Sequence, residues 1–217
     1  MVLKLYGMAI STCTRRVAMV LHEKKVPYEL IEVDLMTGAH KQPSYLEKQP
    51  FGQVPCIDDD GFILYESRAI CRYIVAKYPN EGPPLVPADP KANALFEQAA
   101  SVEQNSFDPL ASAAVVENIF KPFFGGTPDP EAFKKIIAKL EPKLDVYEEI
   151  LGKQKYVGGD ELTLADLFHL PYGSMLPAAG SDVIEARPNV ARWFGELSSR
   201  PSWVAVKDGV KSVPSYA

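Results

Sequence analysis

Residues 79–90 hold five prolines, one glycine and no apolar periodicity, and the sequence differs in kind on the two sides of them. Proline fixes φ and removes a backbone donor, so neither a helix interior nor a central strand passes through such a stretch. Residues 80–89 are therefore read as a linker between a domain over 1–79 and a second over 90–217. A chain of 217 residues, 47% of them apolar, allows one large or two small domains with a sizeable core. Strand signals occur only before the linker.

In the first part, residues 2–6 alternate and are rich in β-formers, and Gly7 ends the run. Residues 12–25 place Val17, Val20 and Leu21 at helical spacing, Val26-Pro27 stops the helix, and 28–33 read as a second strand. Strand, helix and strand with short connections make a βαβ unit, whose strands pair in parallel. A polar segment over 38–48 follows, a loop with one irregular helix. Val54-Pro55 then opens a short apolar run, Asp59-Asp60-Gly61 is a hairpin signal, and 62–65 return as a strand. Proline at the mouth of that run marks an edge, a bulge or a cis bond. A helix over 66–78 turns Ile70, Tyr73 and Ile74 inward. The sum, β-α-β-α-β-β-α with a mixed sheet, is a thioredoxin-like order, giving an α/β domain followed by an all-α domain.

Beyond the linker, Asp89-Pro90 and Asp129-Pro130 each pair an N-cap with proline at the first helical position. The first helix is expected to bury Leu95, Ala99 and Val102, to kink at Pro109 and to fray over 120–124. The second carries Phe133, Ile136, Ile137, Leu140, Leu144 and Tyr147 inward and stops at Gly152. Two such helices joined by a Gly-Pro turn imply an antiparallel pair. Thr163 and Asp166 form a capping box with Asp in place of Glu. Val190, Trp193, Phe194 and Leu197 give one more helix, and the last ten residues, which lack a pattern, are expected to fray.

Two stretches carry chemistry. Ser11 to Arg16 opens the first helix, where a serine caps the backbone or, at the positive end of the helix, donates to a bound thiolate. Glu66 and Ser67 open another helix, whose free amides and dipole favour a carboxylate. Beside the freed backbone at Val54-Pro55, this makes a cleft suited to an anionic tripeptide. Phe51-Gly52-Gln53-Val54-Pro55 followed by Glu66-Ser67-Arg68-Ala69-Ile70 resembles the glutathione-binding half of cytosolic glutathione transferases, most closely the phi class of plants and fungi. Both motifs sit at family spacing, and the resemblance covers most of the chain.

The resemblance implies glutathione as co-substrate, with Ser11 stabilising its thiolate and Thr12 beside it. His40 and Lys41 would hold the glycyl carboxylate, Gln53 and Val54 the cysteinyl part, and Glu66 and Ser67 the γ-glutamyl end, with Arg68 supporting the loop. It lines an electrophile pocket with Met8, Ile10, Leu35, Ile119, Phe120, Phe123 and Phe124. An aromatic cluster at helical spacing is otherwise core, although the Gly-Gly-Thr-Pro loop after it suggests exposure. Phe51 resembles an aromatic key inserted into a second subunit, implying a homodimer. Conjugation of hydrophobic electrophiles, with reduction of organic hydroperoxides beside it, is the expected activity. A non-catalytic carrier of hydrophobic ligands, or a thiol transferase using Cys13, are the alternatives.

The remaining composition narrows the field. Net charge is −5 with both signs interspersed, which disfavours nucleic acid. No apolar run reaches a membrane span, and the N-terminal residues lack the layout of a signal peptide, so a cytosolic protein is expected. Cys13, Cys56 and Cys71 lie far apart, as reduced thiols do. Cys13 is either a small packing residue or, near the helix dipole, a reactive thiol; Cys56 and Cys71 fall in apolar contexts and read as core. His22, His40 and His169 show no metal-ligand spacing, and no metal is expected.

Overall fold

The computed structural model describes residues 2–216. Its first unit is built on β1 (Leu3–Gly7), α1 (Thr12–Glu23), β2 (Tyr28–Glu32), α2 (Pro43–Leu46), β3 (Cys56–Asp59), β4 (Phe62–Tyr65) and α3 (Ser67–Lys77). The sheet runs β2-β1-β3-β4, with β1 parallel to β2 and the other pairs antiparallel. This is the expected mixed sheet. In the register, Leu5 of β1 pairs with Leu30 on one side and Ile57 on the other, and Leu3 and Leu5 are buried while Lys4 is exposed. Side chains of a strand alternate between faces, so one face of β1 supplies core. α1 packs on α3, and Val17, Val20 and Leu21 of the one and Ile70, Cys71 and Ile74 of the other are buried in this unit. Tyr73, expected inward, is half-buried and donates its hydroxyl to Asp59 Oδ2 at 2.6 Å, where Lys77 also binds. Its phenol needs a polar partner, which the end of β3 provides.

The second unit contains α4 (Pro90–Val102), α5 (Asp108–Val115), α6 (Lys121–Phe123), α7 (Pro130–Leu151), α8 (Leu164–Leu167), α9 (Leu170–Gly173), α10 (Leu176–Ala179) and α11 (Pro188–Ser198). Asp89 and Asp129 cap α4 and α7, each accepting two backbone N–H groups. α4 departs from expectation in part: Ala99 is buried as expected, but Leu95 and Val102 are 52% and 40% exposed, and Phe96 and Ala100 are buried in their place. Ala92, Ala94, Ala99 and Ala100 make two neighbouring faces look alike in hydropathy, and the larger Phe96 decides which one packs. Between α4 and α5 the helix widens into a π-turn, Glu103–Phe107, and between α5 and α6 into another, Val116–Phe120. Each lies just before a proline, Pro109 and Pro122, whose ring and missing donor do not fit an unbroken i→i−4 ladder. The helix thus absorbs Pro109 by widening, and it continues to Phe123, through much of the stretch expected to fray.

In α7, Leu140, Leu144, Tyr147 and Leu151 are buried, whereas Phe133, Ile136 and Ile137 in its first two turns are half-buried. The core of this unit gathers Phe107, Tyr147, His169 and Trp193. His169 is bonded on both ring nitrogens, to Ala165 O at 2.8 Å and Tyr147 Oη at 3.0 Å. The capping box holds. Asp166, fully buried, accepts from Thr163 N, Thr163 Oγ1, Val157 N and Trp193 Nε1 at 2.9–3.0 Å.

The end of the chain overturns two expectations. Residues from Arg200 on belong to the first unit, which also takes the chain up to Leu85, so the helical unit does not run to the C-terminus. α12 (Pro201–Val204) packs on α1, and Arg200 makes a two-point ion pair with Glu23 at 2.6 and 2.8 Å. Further on, Tyr28 and Val213 exchange backbone hydrogen bonds of 2.8 Å. β2 is an edge strand with open donors and acceptors, and the tail covers part of that edge instead of fraying. One bridge leaves no periodicity in the sequence.

Candidate functional site

β1 ends at Gly7, and a short loop carries the chain to Ser11, the N-cap of α1. Ser11 has extended backbone angles, its N–H donates to Met8 O at 2.9 Å, and its Oγ accepts from Thr14 N at 3.4 Å. The cap occupies one lone pair of the hydroxyl and leaves the O–H proton to be donated elsewhere. Capping a helix and donating to a sulfur are thus compatible roles for one side chain. Thr12 is buried.

Glu66 and Ser67 stand at the opening of α3. Glu66 has φ 71° and ψ 106°, a strained conformation for a side-chain-bearing residue, and it makes no side-chain cap. The first amides of α3, which have no intrahelical acceptor, thus receive no cap from the Glu66 side chain. Ser67 is 7% exposed, and its Oγ accepts from Arg16 Nη1 at 3.0 Å. The same Nη1 lies 3.3 Å from Cys13 Sγ. Arg16, with 0% exposure, thus links the first turn of α1 to the first turn of α3. The sequence reading missed this residue. Its signal was a cation in phase with the buried positions Thr12, Val20 and Glu23 on α1.

A third group forms around the loop before β3. Lys41 Nζ donates to Phe51 O at 3.2 Å and Gly52 O at 2.8 Å, and Tyr45 Oη donates to Gln53 O at 2.7 Å. Gly52 has φ 59°, and a Cβ there would sit 2.9 Å from His40 O and 2.8 Å from Lys41 Nζ. Only glycine lets these strands of backbone approach so closely. The His40-Lys41 pair and the Gln53-Val54 pair are thereby neighbours, and the Val54-Pro55 bond is cis. His40 Nδ1 is buried and unpartnered, and Lys41 keeps one ammonium proton beyond its two carbonyl bonds.

The apolar candidates belong to both units. Met8 and Leu35 are half-buried in the first unit, and Ile10 is exposed on the loop before Ser11. In the second unit Ile119 and Phe120 are half-buried in the π-turn, and Phe123 and Phe124 are exposed, edge to face at 5.2 Å. Phe51 is 65% exposed, edge-on to Tyr65 at 6.0 Å. Cys56 and Cys71 are buried as expected, and burial pushes both thiols up, Cys71 to about 12. Cys13 is half-buried.

Comparison with known proteins decides the family. The models described as glutathione S-transferase N-terminal domain and C-terminal domain match residues 5–84 and 107–201. The sequence is 51% identical over 195 residues to glutathione S-transferase PM239X14 of Arabidopsis thaliana, covering 88% of this chain and 89% of that protein. The chain belongs to the glutathione S-transferase family. Among solved family structures, glutathione transferase F7 from Populus trichocarpa superposes with a TM-score of 0.92 at 41% identity, covering 95% of this chain and 98% of that one. Glutathione S-transferase I from maize, in complex with an atrazine–glutathione conjugate, superposes at 0.89 with 34% identity, covering 96% and 97%. The relatives with F designations are phi-class transferases, the class that the two sequence motifs resembled. Glutathione S-transferase activity is thus the enzymatic identity of the chain.

Proposed function

We propose that this transferase binds glutathione across the openings of α1 and α3, ionises its sulfur through Ser11, and conjugates it to apolar electrophiles. The observation that carries the reading is that Ser11 accepts the cap bond and retains its proton. A free thiol titrates near ~8.5, and lowering that by about 2 units takes about 2.7 kcal/mol. A hydrogen bond to a charged acceptor contributes about 1.5–3 kcal/mol and a helix N-terminus about 0.3–1 kcal/mol, so the two suffice. The thiol proton leaves to solvent, the thiolate attacks the electrophilic carbon, a carbon–sulfur bond forms and the leaving group departs with its electron pair.

The other contacts follow the geometry. Ser67 accepts from Arg16, so its own O–H is free for the γ-glutamyl carboxylate, together with the first amides of α3 and with Glu66 on the ammonium. His40 and Lys41 hold the glycyl carboxylate, the backbone of Val54 and the side chain of Gln53 the cysteinyl part, and Thr12 contributes through its backbone. Met8, Ile10 and Leu35, in the same unit as Ser11, supply apolar surface for the electrophile. The same thiolate reduces an organic hydroperoxide to the alcohol and water, with a second glutathione completing a disulfide. Phe51 is proposed as the key of a homodimer. The compartment is the cytosol, consistent with three free thiols; among the described residues no helix is long and apolar enough to cross a membrane.

The test is a spectroscopic titration of the bound thiol in wild type and Ser11→Ala, with turnover of a chlorodinitrobenzene. An unchanged thiol titration in the alanine variant overturns the reading; glutathione binding without turnover in the wild type makes the protein a carrier. A thiol-transferase reading is favoured by one observation, the Arg16 contact to Cys13 Sγ. It requires Cys13→Ser to abolish deglutathionylation while conjugation persists.

A further inference from the structure

The loop that presents Ser11 is held from both sides at Ala9. Ala9 N donates to Glu32 Oε1 at 3.3 Å, and Ala9 O accepts from Val210 N at 3.0 Å. Val210 is 3% exposed and is fixed between two anchors within the same unit. On one side are α12 and the buried Trp203 and Val206; on the other are the Tyr28–Val213 bridge and a 2.9 Å bond from Leu30 N to Ser212 Oγ. The carbonyl of Ala9 belongs to the peptide plane that leads into Ile10, one residue before Ser11. Its direction sets the approach of the chain to the helix cap.

We infer that Val210 is a positioning residue for the transfer reaction, its backbone N–H aiming the Ser11 hydroxyl through the Ala9 carbonyl. Residues about 200 positions away from the nucleophile's partner therefore complete the site. The inference rests on the reading of Ser11 above. A hydroxyl that donates to a thiolate is sensitive to direction, since hydrogen bonds weaken steeply away from linearity. A tail that only stabilised the fold would leave the titration of the bound thiol unchanged.

Three variants test this. Val210→Pro removes the donor. Gly209→Ala displaces it differently: Gly209 has φ 137° and open space where a Cβ would be added, so alanine brings backbone strain without a collision. Val210→Ala keeps the N–H. The thiol pKa of bound glutathione is expected to rise by about one unit in the first two variants, with kcat/KM down about threefold at neutral pH and KM for glutathione little changed. The Val210→Ala variant is expected to restore both values toward wild type. The inference is overturned if Gly209→Ala or a folded Val210→Pro titrates like wild type, or if Val210→Ala shifts the thiol as much as proline does. If Ser11→Ala itself leaves the thiol unmoved, the reading of Ser11 fails first; if Ser11→Ala shifts it and the tail variants do not, only the role of Val210 fails.

Discussion

A serine at a helix start is commonplace, and the role proposed for Ser11 turns on where its spare proton goes. Ser11→Ala is expected to raise the bound thiol pKa by about 2 units and, by the thiolate lost near neutral pH, to lower kcat/KM about 25-fold, read by thiolate absorbance and steady-state kinetics. Arg16 acts one step further back. Lysine keeps the charge but not the planar fork, so Arg16→Lys is expected to raise KM for glutathione by about tenfold, the value of one charged hydrogen bond, with kcat moved less. A proportional fall in kcat instead would separate Arg16 from glutathione binding. Ser11, Glu66 and Ser67 were legible in the sequence because each stands in a motif of a few residues. Arg16 was not, since its contact with Ser67 spans 51 positions and exists only once α1 packs on α3.

Elements are held by a few buried polar ties. Asp166→Ala would strand Thr163 N, Val157 N and Trp193 Nε1, and at about 1–3 kcal/mol for each buried donor it is expected to cost at least ~3 kcal/mol, measured by urea unfolding. The corner between β3 and α3 is sensitive to acid. Burial pushes the Asp59 carboxyl up, but the hydrogen bonds from Lys77 and Tyr73 outweigh it and hold it below the usual range. A depressed carboxyl contributes stability that is complete above its unfolded value, near ~4, and is lost as pH falls through the folded value. Urea midpoints of the wild type should therefore drop below about pH 4, and those of Asp59→Asn should lie lower at neutral pH and lose the part of this drop that Asp59 supplies. The same scale shows where hydropathy misled: the phase of α4 is one residue from the expected face because alanines flank both stripes, and Pro109 is preceded by a π-turn that no hydropathy pattern marks.

At the scale of the whole molecule the proposed homodimer turns on Phe51, a large aromatic 65% exposed beside Tyr65. Phe51→Ser is expected to move the protein toward monomer in sedimentation, and an unchanged sedimentation coefficient would discard the key. The end of the chain is where the tertiary structure revises the plan most, since residues from Arg200 on return to the first unit and brace it. Read alone, the sequence determined the order of strands and helices of the first unit, the aspartate caps and the family-like motifs at residues 51–55 and 66–70. Each of these is a preference of φ, of a missing donor or of a capping side chain, and it acts over a few residues. Only the folded chain decided which face of α4 is buried, that Arg16 joins Cys13 to Ser67, and that Val210 meets Ala9. Those depend on volume and hydrogen-bond partners brought together across tens to hundreds of residues, which no local pattern encodes.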